Sequence, residues 1–357
     1  LYKWSESIYQ KVRPNRSFSL NCAYPSHWGV WPAVVLFIGF AWFELAYAKP
    51  ALPIKIATAT LGYSLITWLG MAVYGRSVWL RNGECFSVVF GLLARFSPTE
   101  CHVSDTAYCK ECSLRCEFRL GYCRDCPECL ERASGLTTSI KIRAYGSGLL
   151  KSPRASNSMT VFILVLLSTV TYDGLMATPF WRDIYTPLFR NLHDPVIVNS
   201  IGLLLCPIVL ILGYLGTVEI MNKIAPRQNM LVAPTFVVSL IPIALAYHFA
   251  HYFSFLLIQG QLIIPLLSDP FGFGWDVLNT ANYRVDIGII GAEFVWMFAV
   301  ITIVLGHMLA VYISHYLAFR LYEKDSMAIR SQLPMVVLML AYTMLSLWII
   351  AQPIIEV

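Results

Sequence analysis

Ionisable side chains lie inside segments of this sequence that are otherwise apolar enough for the interior of a membrane. They are Glu44, Asp173, His248, His251, Glu293 and His307. Charged groups are costly at membrane depth, so there they are usually paired or functional. Histidine together with Asp or Glu suits zinc, iron or copper better than calcium or magnesium. The set predicts a site for a transition metal or a proton, separate hydrogen bonds between helices, or haem held by opposed histidines, with haem the least favoured.

Most of these residues fall at matching depths along their helices. At about 1.5 Å per residue, Glu44 and Asp173 lie toward one face of the membrane. His248 and His251 are one turn apart in the half of the membrane that faces the same side, and His307 lies near mid-depth. We therefore expect His248 or His251 to lie close to His307. At least one of Asp173 and Glu44 should face the same cavity.

A polar stretch carries a second group of chemically active residues, which are cysteines. Seven of the ten cysteines fall within thirty residues. Two Cys-x-x-Cys pairs, Cys109/Cys112 and Cys123/Cys126, are separated by ten residues. This spacing lets four thiolates surround one zinc ion tetrahedrally, as in zinc ribbons. A metal then stabilises a segment too short to build its own core.

The other cysteines of this stretch leave further interpretations open. The surplus ligands, which leave room for a second metal, are Cys101, Cys116, Cys129 and His102. Cys129 also continues the spacing of Cys123 and Cys126, as in an iron–sulfur cluster run, although the usual following Cys-Pro is missing. Disulfides are the least favoured alternative, because they rarely persist in the cytoplasm.

The composition is that of a membrane protein. Of the 357 residues, 57% are hydrophobic and 13% are charged, whereas soluble domains carry about 25% charged residues. Several apolar runs reach the length of about 20 residues that a membrane crossing needs. The lipid bilayer is therefore the expected surrounding. The net charge of +5 does not indicate nucleic-acid binding, because the basic residues lie between the apolar runs.

The sequence predicts an all-α, polytopic helical bundle with a small cysteine-rich insert. Seven transmembrane helices are predicted, over residues 31–47, 52–74, 158–175, 196–220, 231–258, 287–321 and 333–350. The apolar segment 83–98 is too short to cross and is predicted to be a re-entrant or interfacial half-helix. Three regions follow: 1–98 with the first two spans, 99–135 as the metal-binding insert, and 136–357 with the remaining spans.

The distribution of basic residues predicts the orientation. Of the 26 Lys and Arg residues, 21 fall in the N-terminal segment and in the loops after the second, fourth and sixth spans. Because basic loops stay in the cytoplasm, we expect a cytoplasmic N-terminus and insert, and an external C-terminus. The expected location is the cell (inner or cytoplasmic) membrane.

Several phrases of the sequence resemble a known family. They are Gly83-Glu84-Cys85-Phe86-Ser87, Asp173-Gly174, His251-Tyr252, Ser268-Asp269-Pro270-Phe271 and Gly306-His307. Together they resemble a prokaryotic family of uncharacterised multi-pass membrane proteins that often carries the label fenitrothion hydrolase. The resemblance extends from about Trp31 to Trp348, and the cysteine insert looks like an addition to the family's pattern. The label implies hydrolysis of organophosphate esters, but the resemblance transfers no catalytic residue to this chain.

Three classes of function fit these features. Transport of an ion, a metal or a small solute through the intramembrane polar set is favoured, because ionisable groups near the midplane typify transporters. The alternatives are a membrane metalloenzyme of the hydrolase or oxidase type, and a structural or electron-transfer subunit of a larger membrane complex. Zinc in the insert is the expected cofactor, with a second transition metal in the membrane as a further expectation.

Overall fold

The computed structural model describes residues 2–13, 18–105, 107, 123–133, 135–150, 155–226 and 229–352. Within these residues the chain is mostly helical. Its contacts divide it into two compact units, Leu1–Phe162 and Ile163–Val357. Each unit is described separately below.

The first unit contains short and long helices, some of which begin at proline or end at glycine. The helices are α1 (Tyr2–Val12), α2 (Trp31–Leu45), α3 (Pro53–Tyr74), α4 (Arg76–Asn82), α5 (Cys85–Leu93), α6 (Pro127–Arg132), α7 (Ser147–Leu150) and α8 (Asn157–Met176), which continues into the second unit. Proline at the first helical position starts α3, where a missing N–H costs nothing. Gly75, with φ at +87°, separates α3 from α4. The buried Trp79 of α4 packs against Gly70 and Gly83, which leave room for its ring.

A three-stranded antiparallel sheet lies in the first unit. Its strands are β1 (Thr99–Val103), β2 (Cys123–Arg124) and β3 (Thr138–Ile142), in the order β2-β1-β3. Val103 is opposite Cys123 on one side and Thr138 on the other. The predicted insert ended at residue 135, but the sheet continues to Ile142. The predicted boundary rests on the position of the last cysteine. Cysteine spacing carries no information about β3, the strand that pairs with β1.

The second unit is built from long apolar helices. They are α9 (Pro179–Leu192), α10 (Pro195–Ile224), α11 (Asn229–Phe236), α12 (Ile241–Gln259), α13 (Ile263–Ser268), α14 (Ala292–Leu321) and α15 (Asp325–Ile350). Helix α14 packs against both α12 and α15, and α10 packs against α15. Gly306 of α14 allows a close approach to α12, because a Cβ there would lie 2.4 Å from the Cβ of Ala246.

Six segments of the described chain are helical, long and apolar enough to cross a membrane. They are Pro53–Tyr74, Asn157–Met176, Pro195–Ile224, Val232–Ser268, Ala292–Leu321 and Asp325–Ile350. The chain is therefore a multi-pass membrane protein. The first predicted span forms α2, whose 15 residues extend about 22 Å, less than the ~30 Å of a hydrocarbon core. The predicted half-helix is a short apolar helix, Cys85–Phe96, with a 3₁₀ turn at its end.

Three boundaries differ from the prediction. The fifth predicted span is divided into α11, a 3₁₀ turn over Val237–Leu240, and α12. The prolines at 234 and 242 account for this, since each lacks a backbone donor. The sixth span begins at Ala292 rather than at 287, because Asp286 accepts a hydrogen bond from the backbone N–H of Gly288 in a turn. The seventh begins eight residues earlier, at Asp325 instead of residue 333.

Candidate functional site

Two candidate membrane-crossing helices meet at a carboxylate. Asp173, near the end of α8, accepts hydrogen bonds at the same oxygen, Oδ2, from two residues of α12. The Nε2 atom of His251 lies 2.9 Å from this oxygen, and the hydroxyl of Tyr252 lies 2.7 Å from it. Because an ionised carboxylate only accepts hydrogen bonds, Nε2 of His251 carries the hydrogen. The side chains of Asp173 and His251 are each 22% exposed, so this pair is only partly covered by the rest of the protein.

Aromatic residues surround this pair within the second unit. The ring of His251 lies 4.8 Å from that of Tyr252 and 6.2 Å from that of Tyr247, measured between centroids. The ring of Tyr342, on α15, lies 6.2 Å from that of Tyr247. Its hydroxyl lies 2.6 Å from the hydroxyl of Thr171 on α8. Polar groups of three helices therefore lie in one region of the unit.

The other histidines of the predicted set contact different partners. The Nδ1 atom of His248 donates to the carbonyl of Ala244, one turn earlier, at 2.7 Å. His307 lies 3.0 Å from the hydroxyl of Thr343, across the contact of α14 with α15. The same hydroxyl of Thr343 lies 2.9 Å from the backbone carbonyl oxygen of Met339, to which it can donate. The structure thus brings Asp173 and His251 together, whereas it connects His307 to α15. A cavity shared by the Asp173–His251 pair and His307 stays a prediction.

The two glutamates of the predicted set occupy exposed positions. Glu44 is exposed near the end of α2, in the first unit. Glu293 is exposed in the first turn of α14. A carboxylate in this turn is favoured by the partial positive charge of a helix N-terminus. This local effect accounts for the position of Glu293 at the start of α14. The participation of Glu293 in a common site stays a prediction.

The insert contains a group of three buried cysteines. The sulfur atoms of Cys123, Cys126 and Cys129 all lie within 4.8 Å of one another. In a tetrahedral zinc site with Zn–S bonds of about 2.3 Å, the sulfurs are about 3.8 Å apart. Three adjacent buried cysteine sulfurs are a donor set that fits a soft transition metal. This group can hold a metal ion.

Local structure places the three thiols. Cys123 lies on β2, Cys126 precedes α6, and Cys129 is one turn into α6, whose first turn Leu130 closes by donating to the carbonyl of Cys126. Asp125, with φ at +47°, forms the turn between the first two cysteines. Its carboxylate accepts from the backbone N–H of Cys101 at 2.8 Å, which attaches the turn to β1.

The remaining predicted ligands of the insert are distributed differently. Cys129 was a possible ligand of a second metal or a continuation of the Cys123/Cys126 spacing, and the structure places it with Cys123 and Cys126. His102 points away from them, since it is buried against Glu100 with Nε2 at 2.7 Å from Oε1. Cys101, half-buried, is on the opposite face of β1 from His102, because side chains alternate along a strand. Three predicted ligands, Cys109, Cys112 and Cys116, lie outside the described residues.

Two arginines of α4, the helix that follows α3, form ion pairs with α6, the helix that carries Cys129. Arg76 donates from both terminal nitrogens to the carboxylate of Glu131, at 2.9 and 3.0 Å. Arg81 donates to Glu128 at 3.0 Å, and the Glu128 side chain is only 8% exposed. Both glutamates are on α6, beside Cys129. Helix α6 is thus held by two ion pairs to α4.

A second buried carboxylate was not identified from the sequence. Glu84 is 6% exposed and caps α5, accepting from the backbone N–H groups of Phe86 and Ser87 and from the hydroxyl of Tyr63. Burial and the adjacent Glu84 raise the pKa of the Cys85 thiol to about 12, so this thiol stays protonated. A carboxylate followed by a short apolar helix was the available signal, since Glu commonly accepts hydrogen bonds at a helix start.

Tyr252 and Tyr247 were also missed as site residues. Their only signal was proximity, because Tyr252 follows His251 directly and Tyr247 precedes it by one turn. Aromatic residues are common in membrane helices, so tyrosine by itself does not distinguish a site from packing.

Comparison of this chain with known protein families, with curated proteins and with solved structures finds no match.

Proposed function

We propose that this chain is a membrane transport protein whose ion-handling site is formed by Asp173, His251 and Tyr252. The observation that supports this most directly is the double hydrogen bond to Oδ2 of Asp173, at 2.9 and 2.7 Å, between α8 and α12. Ionisable residues within membrane helices typically line ion or proton pathways. The pair is only partly covered by the rest of the protein, and a transport site needs such an opening.

The geometry suggests how occupancy of the site is coupled to movement. While Asp173 is ionised, it accepts from both His251 and Tyr252 and so connects α8 to α12. A cation or proton bound at Asp173 neutralises the charge that these donors stabilise. The charge-assisted hydrogen bonds are about twice as strong as neutral ones, so their weakening favours separation of the two helices. Binding is thereby linked to a change at the contact of two membrane helices, as alternating access requires.

The test is ion movement by the purified protein in liposomes. Currents are measured on a solid-supported membrane for a panel of protons, monovalent cations and divalent transition-metal cations. Asp173→Asn keeps the size of the side chain and removes its charge, and we expect it to lower the current at least tenfold. Asp183→Asn is the matched control, because Asp183 is an exposed carboxylate of the same unit that does not belong to the predicted set. Equal currents in wild type and in Asp173→Asn would refute the proposal.

We further propose that the insert binds zinc as a structural metal. The support is the group of three buried thiols, and Cys109 or Cys112 is the proposed fourth ligand. Zinc is preferred over an iron–sulfur cluster because the two Cys-x-x-Cys pairs have zinc-ribbon spacing. When bound, the metal supplies the stability that so small a segment lacks.

The proposed location is the cell (inner or cytoplasmic) membrane, with the N-terminus and the insert in the cytoplasm. The support is the excess of Lys and Arg in the segments assigned to that side. A membrane-impermeant thiol reagent applied to sealed cells should leave the exposed Cys22 unlabelled until the membrane is permeabilised. Labelling of Cys22 in intact cells would reverse the orientation. The family resemblance supports a multi-pass membrane protein, and no reaction is proposed from it.

A further inference from the structure

The hydroxyl of Tyr247 is the feature of the second unit that the site described above does not use. Tyr247 is 0% exposed, and its Oη atom has no hydrogen-bond partner among the described residues. A buried hydroxyl without a partner costs free energy, so buried polar atoms are normally satisfied by protein or by ordered water. Other buried tyrosines of this unit are satisfied: Tyr214 donates to the carbonyl of Ala233, and Tyr342 contacts Thr171.

The position of this hydroxyl relates it to the carboxylate. A Cβ added at Gly174 would lie 2.9 Å from Oη of Tyr247 and 3.6 Å from Cε1 of His251. The hydroxyl therefore lies over the backbone of α8, immediately after Asp173 and beside the imidazole that binds Asp173. Glycine at position 174 keeps this space free of a side chain.

On its other side, Tyr247 lies beside the hydroxyl pair of Thr171 and Tyr342. Thr171 and Gly174 are three residues apart, so they are on the same face of α8. The ring of Tyr342 lies 6.2 Å from that of Tyr247. Tyr247 is thus next to both pairs, because the ring of His251 lies 6.2 Å from that of Tyr247 as well. Hydroxyl and imidazole groups both donate and accept hydrogen bonds, which a proton relay requires.

We propose that Tyr247 binds a water molecule that connects the Thr171–Tyr342 pair to the Asp173–His251 pair, and that the ion handled at this site is the proton. This inference rests on the proposed transport function and specifies its ion. A proton enters the relay at one end, and the water passes one of its own protons to the carboxylate of Asp173. The carboxylate later releases a proton to the other side. Only O–H and N–H bonds break and form, and one proton leaves for each that enters.

The experiment measures proton flux into proteoliposomes that contain the pH dye pyranine, under an imposed pH gradient with potassium and valinomycin for charge balance. Tyr247→Phe should lower the protein-dependent flux at least tenfold. Its thermal midpoint should change little, because phenylalanine keeps the ring and no hydrogen bond to the described chain is lost. Tyr214→Phe is the matched control, which loses a hydroxyl with a partner and should keep its flux.

Thr171→Val gives a second, independent test, because it keeps the shape of the side chain and removes the hydroxyl next to Tyr342. We expect a lower flux in this variant as well. Wild-type flux in both Tyr247→Phe and Thr171→Val would overturn the relay, even if Asp173→Asn still abolishes transport. Wild-type vesicles that are no more permeable to protons than empty liposomes would overturn the assignment of the proton. Currents of other cations that depend on Asp173 would then still support the proposed transport function.

Discussion

Replacement of Gly306 by alanine tests the close approach of α12 and α14. The added Cβ would lie 2.4 Å from the Cβ of Ala246 and 2.9 Å from the carbonyl oxygen of Pro242. Carbon atoms in contact prefer about 3.5–4.0 Å, so the helices must separate locally by about 1 Å or more. Overpacking of this kind costs about 1–3 kcal/mol. Against this, alanine gains about 1 kcal/mol over glycine in helix propensity.

A matched variant separates the cost of overpacking from the gain in helix propensity. Gly213→Ala, on α10, gains the same propensity, and its added Cβ has no atom of another element within 4 Å in the described structure. We therefore expect the free energies of unfolding of the two variants to differ by about 1–3 kcal/mol, with Gly306→Ala the less stable.

Unfolding by sodium dodecyl sulfate in mixed micelles, followed by circular dichroism, measures this difference. Adding Ala246→Gly to Gly306→Ala should restore part of the loss, because it removes the shorter of the two contacts. Equal stability of Gly306→Ala and Gly213→Ala would refute the inference that these two helices are in direct backbone contact.

Two further predictions concern the insert and the loop after α13. Cys129→Ser should lower the metal content of the purified protein at least severalfold, as measured by inductively coupled plasma mass spectrometry, because the ion loses a thiolate ligand. The second concerns Asp276, whose pKa is held below its usual value by hydrogen bonds from the hydroxyl of Ser268 and from the backbone N–H groups of Ala281 and Thr280. Ser268→Ala should raise that pKa, as measured by ¹⁹F NMR of fluorotryptophan at Trp275 during a pH titration.

The sign of the pH effect follows from the direction of the shift. A carboxyl group whose pKa is lower in the folded state stabilises the loop above its unfolded pKa of about 3.9. This stabilisation is lost as the pH falls through the folded pKa. The loop of Ser268→Ala should therefore rearrange at a higher pH than that of wild type. Coincident titration curves of wild type and Ser268→Ala would contradict this account.

The control for the metal-content prediction on Cys129→Ser is Cys22→Ser, which should keep the metal content of wild type.

The membrane helices were predictable because crossing a hydrocarbon layer imposes a length and a composition on each segment. The same constraint does not determine which way a side chain points around its helix. Asp173 and His251 were expected in one site because their depths match, and they are in hydrogen-bond contact. His307 has a similar depth but contacts Thr343. Which partner a side chain contacts depends on the packing angles between helices.

The cysteine group shows a second limit of sequence analysis. Spacing identified Cys123 and Cys126 as a pair, because two intervening residues suffice to turn the chain. It could not assign Cys129, since seven cysteines permit many groupings. The position of Cys129 depends on α6. This helix has six residues and is held in place by ion pairs to α4. Such long-range pairs leave no periodic pattern in the sequence.

Those ion pairs have a consequence for biogenesis. Arg76 precedes its partner Glu131 by 55 residues, and Arg81 precedes Glu128 by 47. During synthesis, α3 therefore precedes both glutamates: Arg81 is made long before Glu128, while Arg76 can already pair with Glu6, which lies 3.4 Å from it in the finished chain. Positive charge at this stage influences the direction of insertion. The glutamates are synthesised afterwards and pair with these charges. The same two arginines can thus serve first as a topological signal for the nascent chain and then as the attachment of the finished insert.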